Sequence, residues 1–203
     1  MRSTPSVLSS LIVAGMLVFN SAAAVLAQDG METRREWGTL ANGRAEFEVS
    51  DPALVPRTLA LAAEQSRCDY KDDMKERPAR FIRPDGRRLA IVFCAAIIGS
   101  DQVFDVSNVL RPRPVEFPII VRPDGFGATA RPGLITWEKE ANVFHAVSGS
   151  DTTLAGLRHI YRLDRGTGSF VVVRVEFAPY SGTKDGWTTI WNAPTWSFPE
   201  MPN

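Results

Sequence analysis

Downstream of Ala27, hydrophobic residues are most concentrated in the segment Leu89–Ile98, where the thiol of Cys94 is the one polar side-chain group. A short apolar run bounded by turn residues is typical of a buried strand. A Pro-Asp-Gly turn at Pro84–Gly86 precedes it, in which proline fixes φ and glycine accepts positive φ. We therefore predict that Gly86–Asp105 contains a central strand around which the rest of the chain packs.

Further strands are indicated by short segments that are rich in β-branched and aromatic residues and separated by turn residues. The clearest is Ser169–Phe177, whose later half alternates between apolar and polar positions. The others are predicted at Phe81–Arg83, Gln102–Val106, Phe117–Arg122, Leu134–Glu138, Val143–Val147, His159–Leu163 and Gly186–Trp191. Many short strands with close turns favour an antiparallel sheet structure.

A loose polar arm is predicted at Gln28–Arg35, followed by two strands at Glu36–Leu40 and Arg44–Val49. An Asn-Gly pair at positions 42 and 43 separates these strands. It favours a hairpin turn because both residue types accept positive φ. Trp37 is expected to pack in the first of the two strands.

One helix is predicted to begin at Ser50-Asp51-Pro52 and to end close to Cys68. Apolar or small residues recur in it at spacings of three and four, which places them on one helical face. These residues are Val55, Leu59, Ala62, Ala63 and Ser66. The predicted fold class is therefore mainly β, an antiparallel β-sandwich or curved sheet with one packed α-helix.

The N-terminal segment Met1–Ala27 has the features of a secretory signal peptide. Arg2 precedes an apolar core at Val7–Phe19, and small or aliphatic residues precede Gln28 at the expected cleavage site. The core is shorter than the ~20 residues of a membrane-spanning helix, so we expect no stable membrane insertion after signal removal. The prediction is a periplasmic or secreted protein with a single β-rich domain over residues 28–203.

The two cysteines, Cys68 and Cys94, predict a disulfide because the chain is expected to be exported. Closing this loop would be worth ~3–4 kcal/mol in the chain-entropy model. The alternative is a free reactive thiol at Cys94. Apolar surroundings make a thiol a poor nucleophile, which favours the disulfide.

The charge balance argues against some classes of partner. The chain has 23 basic and 23 acidic residues, which disfavours a nucleic acid or an anionic membrane as the main partner. A local exception is a basic cluster formed by Arg77, Arg80, Arg83, Arg87 and Arg88. We interpret it as the solvated flank of a hairpin, with an anion-binding face as the alternative.

No catalytic residue, metal site or cofactor is predicted. His145 lies near Ser148, Ser150 and Asp151, but the chain lacks the Gly-x-Ser-x-Gly elbow of serine hydrolases, and the segment indicates a strand and a turn. His159 is the only other histidine. Two isolated histidines and no paired cysteines do not make a zinc site of the usual kind.

Aromatic residues near the C-terminus supply the one binding signal. Trp187 and Trp191 are four residues apart, so they are expected to point the same way in a strand, and Tyr180 and Trp196 lie nearby. Exposed rings of this kind bind a sugar or another protein by stacking and burial. Packing of the tryptophans in the core is the alternative.

The segment Asp185–Trp191, Asp-Gly-Trp-Thr-Thr-Ile-Trp, resembles the Trp-x-Thr-x-Trp ending of uncharacterised proteobacterial periplasmic proteins with domains of unknown function. An isolated Cys68, and Cys94 in a strand after a Pro-Asp-Gly turn, agree with that pattern. The similarity covers the C-terminal half of the chain, which lacks the extra cysteines that such proteins often carry. The resemblance implies an envelope location and supplies no activity.

These features favour a non-catalytic periplasmic protein that binds a protein or a glycan in the cell envelope. The alternatives are an envelope hydrolase and a lysozyme-type enzyme inhibitor, the latter from fold class alone. Binding predicts that Trp187 or Trp191 is exposed on a patch, and catalysis predicts a cleft with paired polar groups of perturbed pKa. An inhibitor predicts a protruding loop, for which Asp69–Arg77 is the first candidate.

Overall fold

A computed structural model of the chain describes residues 29–95, 99–121, 125–149, 155–179 and 186–194. Within them, two five-stranded antiparallel sheets and a two-stranded hairpin are accompanied by two α-helices. The predicted fold class, a β-sandwich-like arrangement with a packed helix, is confirmed.

Each large sheet contains strands that neighbour one another in chain order. The first sheet consists of β1 (Phe47–Val49), β2 (Ala79–Ile82), β3 (Leu89–Cys94), β4 (Ser100–Asp105) and β5 (Arg113–Pro114). The hairpin consists of β6 (Phe117–Val121) and β7 (Gly125–Thr129). The second sheet consists of β8 (Leu134–Glu138), β9 (Val143–Gly149), β10 (Gly156–Leu163), β11 (Phe170–Ala178) and β12 (Thr188–Asn192). Helix α1 covers residues 29–41 and α2 is Arg57–Gln65, with single 3₁₀ turns at Pro52–Leu54 and Pro84–Gly86.

Strand β3 is the third of the five strands in the first sheet and is buried on both faces. Leu89 and Ile91 belong to the core shared with the second sheet, and the alternate residues Val92 and Cys94 belong to the core shared with the helices. Successive strand side chains point to opposite faces, so a strand in a middle layer needs an apolar residue at every position. This confirms the predicted central strand up to Cys94; residues 96–98 lie outside the described ranges.

The predicted disulfide between Cys68 and Cys94 is present, with an S–S distance of 2.00 Å and a sequence separation of 26. It joins the segment that follows α2 to the end of β3. Next to it, the amide of Ala95 donates a hydrogen bond to the carbonyl of Asp69 over 2.6 Å. Helix α2 is therefore attached to the central strand both covalently and through the backbone.

The predicted helix is confirmed over Arg57–Gln65, but its predicted start forms the 3₁₀ turn Pro52–Leu54, and Val55 and Ser66 lie outside α2. Leu59, Ala62 and Ala63 are buried against the first sheet, and the helix ends at Gln65. Pro56, immediately before the helix, is its N-cap residue. The hydroxyl of Ser66 donates to the carbonyl of Ala62 over 2.7 Å at the other end.

The predictions for the arm and the first strand are wrong, because residues 29–41 form helix α1. Asn42 and Gly43 have positive φ values of 44° and 74°, as the hairpin prediction required. Here, however, they end a helix: the amide of Asn42 donates to the carbonyl of Gly38 over 3.0 Å. Positive φ at these two residues is compatible with a helix end as well as with a hairpin. Of the second predicted strand, Arg44–Val49, only Phe47–Val49 forms a strand, β1.

A polar link joins the two large sheets through Asp101 of β4, which is 6% exposed. One carboxylate oxygen accepts the amide of Ile135 over 2.7 Å and a guanidinium nitrogen of Arg80 over 3.1 Å. Arg80 also donates to the carbonyl of Ile135 over 2.8 Å. Burial raises the pKa of Asp101, and the amide of Ile135 and the charge of Arg80 oppose this effect.

Replacing Asp101 with alanine should lower the free energy of unfolding by about 2–4 kcal/mol, because the Ile135 amide and Arg80 lose a buried acceptor. Asp101→Asn should cost less, since the amide oxygen still accepts from Ile135. The measurement is urea unfolding of the mature protein.

The matched control is Asp105→Ala, which removes the Arg87–Asp105 ion pair of 2.8 Å within the first sheet. Asp105 also accepts the amide of Ser107 over 2.9 Å, but both members of the ion pair are more exposed than Asp101, so the substitution should cost about 1–2 kcal/mol. An Asp101→Ala variant as stable as Asp105→Ala would show that the link does not hold the sheets together.

Candidate ligand-binding site

The structure separates the two tryptophans on which the predicted aromatic surface depends. In the pairing of β11 with β12, Trp191 lies opposite Val175 and Thr189 lies opposite Glu176, so Ile190 is an extra residue in a β-bulge. A bulge reverses the alternation of side chains along a strand. Trp187 precedes β12 and its ring lies against Arg158, whereas Trp191 lies opposite Val175. The two rings do not share one surface, so the expectation that they point the same way is wrong.

Each tryptophan is half-buried and has its own partner. The ring of Trp191 contacts Phe126 of β7 edge-on, with 5.7 Å between ring centroids. The guanidinium carbon of Arg158 lies 4.6 Å from the centre of the Trp187 ring, and Arg158 also pairs with Glu176. Tyr180, the third predicted contact residue, lies outside the described residues, as does Trp196.

His159 attaches the hairpin to the second sheet beside this region. It is 2% exposed, and its Nε2 accepts the amide of Ile120 in β6 over 3.0 Å. Burial lowers the pKa of His159 from 6.5 to about 4. Protonation of Nε2 would remove the acceptor for the Ile120 amide and bury a charge. The folded protein therefore favours the neutral imidazole of His159.

The stability of the protein should therefore fall as the pH falls from 6.5 to 4, because in this window the unfolded chain binds a proton at His159 and the folded chain does not. Over this pH range the free energy of unfolding should fall by about 3 kcal/mol. His159→Gln, which keeps an acceptor for Ile120, should show a shallower pH dependence in urea unfolding.

The control for this experiment is His145→Gln, which removes the other histidine of the chain, placed on β9 beside Glu138. The difference between the wild-type and His159→Gln curves is what reports on His159, and His145→Gln should leave most of that difference unchanged. Identical curves for wild type and His159→Gln would contradict the assignment.

The basic cluster predicted from the sequence divides into two groups. Three of its members have partners that hold the fold: Arg80 with Asp101, Arg87 with Asp105, and Arg77 over the ring of Phe93 at 4.1 Å. The remaining two, Arg83 and Arg88, are exposed and line a cleft.

The cleft lies between helix α1 and the first sheet and has a volume of about 730 Å³. This is within the range of about 300–1,000 Å³ that is usual for small-molecule sites. Its walls come from α1 and the turn after it, from β1 and β2, and from the segments that flank β3 and follow β4. The lining residues are Arg34, Trp37, Gly38, Ala41, Gly43, Arg44, Ala45, Phe47, Phe81, Ile82, Arg83, Arg88, Leu89, Val106, Ser107, Asn108, Val109 and Leu110. We call this site the arginine cleft.

Aromatic rings form part of the lining of the arginine cleft. Phe47 and Phe81 stack with their centroids 4.6 Å apart, and Trp37 meets Phe81 edge-on at 5.9 Å. The indole nitrogen of Trp37 donates to the hydroxyl of Thr58 over 3.1 Å. The polar atom of the indole is thus already used, and the ring, 7% exposed, forms part of the wall between α1 and the first sheet.

Four exposed arginines accompany these rings: Arg34, Arg44, Arg83 and Arg88. Arg88 donates to the carbonyl of Ser107 over 2.8 Å, and Arg44 donates to the carbonyls of Leu40 and Ala41 over 3.3 Å. A guanidinium has five N–H groups, so each of these side chains keeps donors for a ligand. Among the described lining residues there is no Asp or Glu to neutralise the four charges.

The sequence indicated only part of this site. Arg83 and Arg88 belong to the predicted anion-binding alternative, because both flank the turn before β3. Arg34 and Trp37 were missed, since the region was predicted as an arm and a strand. Their spacing of three, continued by Gly38 and Ala41, is the helical signal that places them on one face.

Two further observations concern the residues that the structure describes. In that part of the chain, no group of three or more His, Cys, Asp or Glu side chains could hold a metal ion. None of the helices there is both long and apolar enough to cross a membrane.

Comparison with family models, with curated proteins and with solved structures finds no match for this chain. The resemblance of its C-terminal half to periplasmic proteins with domains of unknown function therefore stays a prediction. The function has to be inferred from the site itself.

Proposed function

We propose that the protein is a non-catalytic binding protein of the cell envelope, which holds an anionic group of its partner in the arginine cleft. The observation that carries this proposal is the set of four exposed arginines beside aromatic rings, with no carboxylate among the described lining residues. Guanidinium groups bind carboxylate and phosphate through paired charge-assisted hydrogen bonds. A protein or a glycan of the envelope that carries acidic groups satisfies this chemistry.

A periplasmic or secreted location is part of the proposal. It is supported by the signal-like segment Met1–Ala27 and by the disulfide between Cys68 and Cys94, a bond that persists in oxidising compartments. The disulfide joins two layers of the fold, so the protein needs such a compartment to reach its full stability.

Binding is favoured over hydrolysis by the placement of the acidic groups with shifted pKa values. Burial raises the pKa of Asp101, but this carboxylate belongs to the link between the sheets. Hydrogen bonds from Ser107 and Arg87 lower the pKa of Asp105 against the opposing effect of its burial.

Asp85 and Asp164 line another cavity, and side-chain hydrogen bonds from Arg165 and from Thr167 lower their respective pKa values. All four carboxylates are engaged in bonds within the fold, and none combines a raised pKa with an open cleft, as a general acid requires.

The inhibitor alternative depends on a protruding loop at Asp69–Arg77. Within this segment Tyr70 is 5% exposed and Met74 is 1% exposed, and both belong to the core beneath the helices. At its end, Arg77 lies over the ring of Phe93. The segment is held against the body of the protein, which does not favour its use as an inserting loop.

Trp187 and Trp191 remain proposed contact residues on a different surface, at the edge strand of the second sheet. Trp191 is accompanied there by two exposed apolar side chains, Ile190 and Phe126. An apolar patch of this kind suits a protein partner. It supports the same binding function and supplies no anion-recognising group.

The proposal is tested with anionic probes of both partner classes: poly-glutamate for acidic proteins and dextran sulfate for acidic glycans, with neutral dextran as the comparison. Calorimetry of the mature protein should show binding of the anionic probes. The double variant Arg83→Gln/Arg88→Gln should weaken it about 10- to 100-fold, because two charge-assisted contacts are lost.

The control is Arg162→Gln, which removes one exposed arginine from β10 in the second sheet, on another layer of the fold. It should leave the affinity within about twofold, as expected for a distant surface charge. An equal loss in both variants would show general charge attraction, and absence of binding to every anion would refute the proposal.

A further inference from the structure

We infer that the arginine cleft takes a single-chain anionic amphiphile, with a carboxylate or phosphate head held by the arginines and a hydrocarbon chain lying against the apolar side chains. This inference rests on the anion-binding role of the arginine cleft in the proposed function, and it goes beyond the protein or glycan partner named there. Three observations lead to this inference: the size of the cleft, the state of its neutral polar groups, and its apolar lining.

The cleft is much larger than an anion requires. A carboxylate or phosphate displaces only a few water molecules, each with about 30 Å³ of liquid volume. The cleft has a volume of about 730 Å³. Most of the space is therefore left for a part of the ligand that the arginines do not bind.

The neutral polar side chains of the lining already have partners. The hydroxyl of Ser107 accepts the amide of Arg88 over 3.3 Å, and the side-chain oxygen of Asn108 accepts the amide of Leu110 over 3.1 Å. The indole nitrogen of Trp37 is bonded to Thr58. The groups left to face a ligand are therefore mainly N–H and O–H donors. They suit an anion better than a sugar hydroxyl, which needs an acceptor as well as a donor.

A hydrocarbon chain, in contrast, matches the rest of the lining. Phe47 is partly exposed and Leu110 is 36% exposed, while Phe81, at 4% exposure, lies stacked beneath the Phe47 ring. Burying methylene groups against such side chains is favourable in proportion to the apolar area removed from water. The four arginines select an anionic head over a neutral one, which completes the recognition of an amphiphile.

A position in α1 allows the cleft to be filled without disturbing the fold. Gly38 lines the cleft, and a Cβ built on it meets nothing within 4 Å. Glycine inside a helix costs roughly 1 kcal/mol relative to alanine. Gly38→Met should therefore occupy the cleft while leaving the protein at least as stable, and Gly38→Ala gives the same helix benefit with little added volume.

The experiment is calorimetric titration of the mature protein with laurate and dodecyl phosphate at monomeric concentrations. Head-only probes are acetate and inorganic phosphate, and dodecyl maltoside is the neutral-headed probe. We expect the two anionic amphiphiles to bind at least about tenfold more tightly than the neutral-headed or head-only probes. Comparison of laurate with dodecyl phosphate decides which head the arginines prefer.

The variants locate the binding. Gly38→Met should weaken laurate binding at least about tenfold, with a melting temperature no lower than that of wild type, while Gly38→Ala should bind within about twofold of wild type. Arg83→Gln/Arg88→Gln should remove the preference for the anionic head over the neutral head.

Two results would overturn the inference. One is that laurate and dodecyl phosphate bind no more tightly than acetate and inorganic phosphate. The other is that the Gly38→Met variant binds laurate like wild type. If poly-glutamate or dextran sulfate still bound in an arginine-dependent way, the proposed function would stand and only the amphiphile would be excluded. If no anion bound, both would fail.

Discussion

Strand β3 is buried on both faces, with the helices packed on one side of it and the second sheet on the other. Its residues alternate between a core shared with the second sheet and a core shared with the helices, so each layer covers apolar surface that the other cannot reach. Directional bonds reinforce both sides: the Cys68–Cys94 disulfide on the helical side and the Asp101 link to Ile135 on the side of the second sheet.

The arginine cleft is a consequence of how helix α1 joins this layered body. Trp37 packs against Phe81 of the first sheet, and the helix ends at Asn42 and Gly43, where left-handed backbone conformations redirect the chain toward β1. Arg44, just after this turn, therefore lines the same cleft as Arg34 on the helix. The turn at the end of α1 thus brings Arg34 and Arg44 to the same cleft.

The arginines show how neighbouring carboxylates decide the role of a residue type. Arg80 and Arg87 each have an aspartate on β4 within hydrogen-bond distance, and their charge is used to hold the fold. Arg83 and Arg88 donate to backbone carbonyls, which do not neutralise a guanidinium. Within residues 80–88, two arginines therefore stabilise the fold, and two others present their charge to the cleft.

Local patterns in the sequence are enough to predict the central strand, most of helix α2, the disulfide and most strands of the two sheets, because these features follow from periodicity and from the presence of two cysteines. Helix α1 was decided by packing, since an Asn-Gly pair is equally compatible with a helix end and a hairpin. The separation of Trp187 from Trp191 depends on the bulge at Ile190, which exists only in the pairing with β11. The cleft likewise joins Arg34 to Arg88 across distant parts of the chain. Such contacts arise from layers packing together, and no local pattern of residues encodes them.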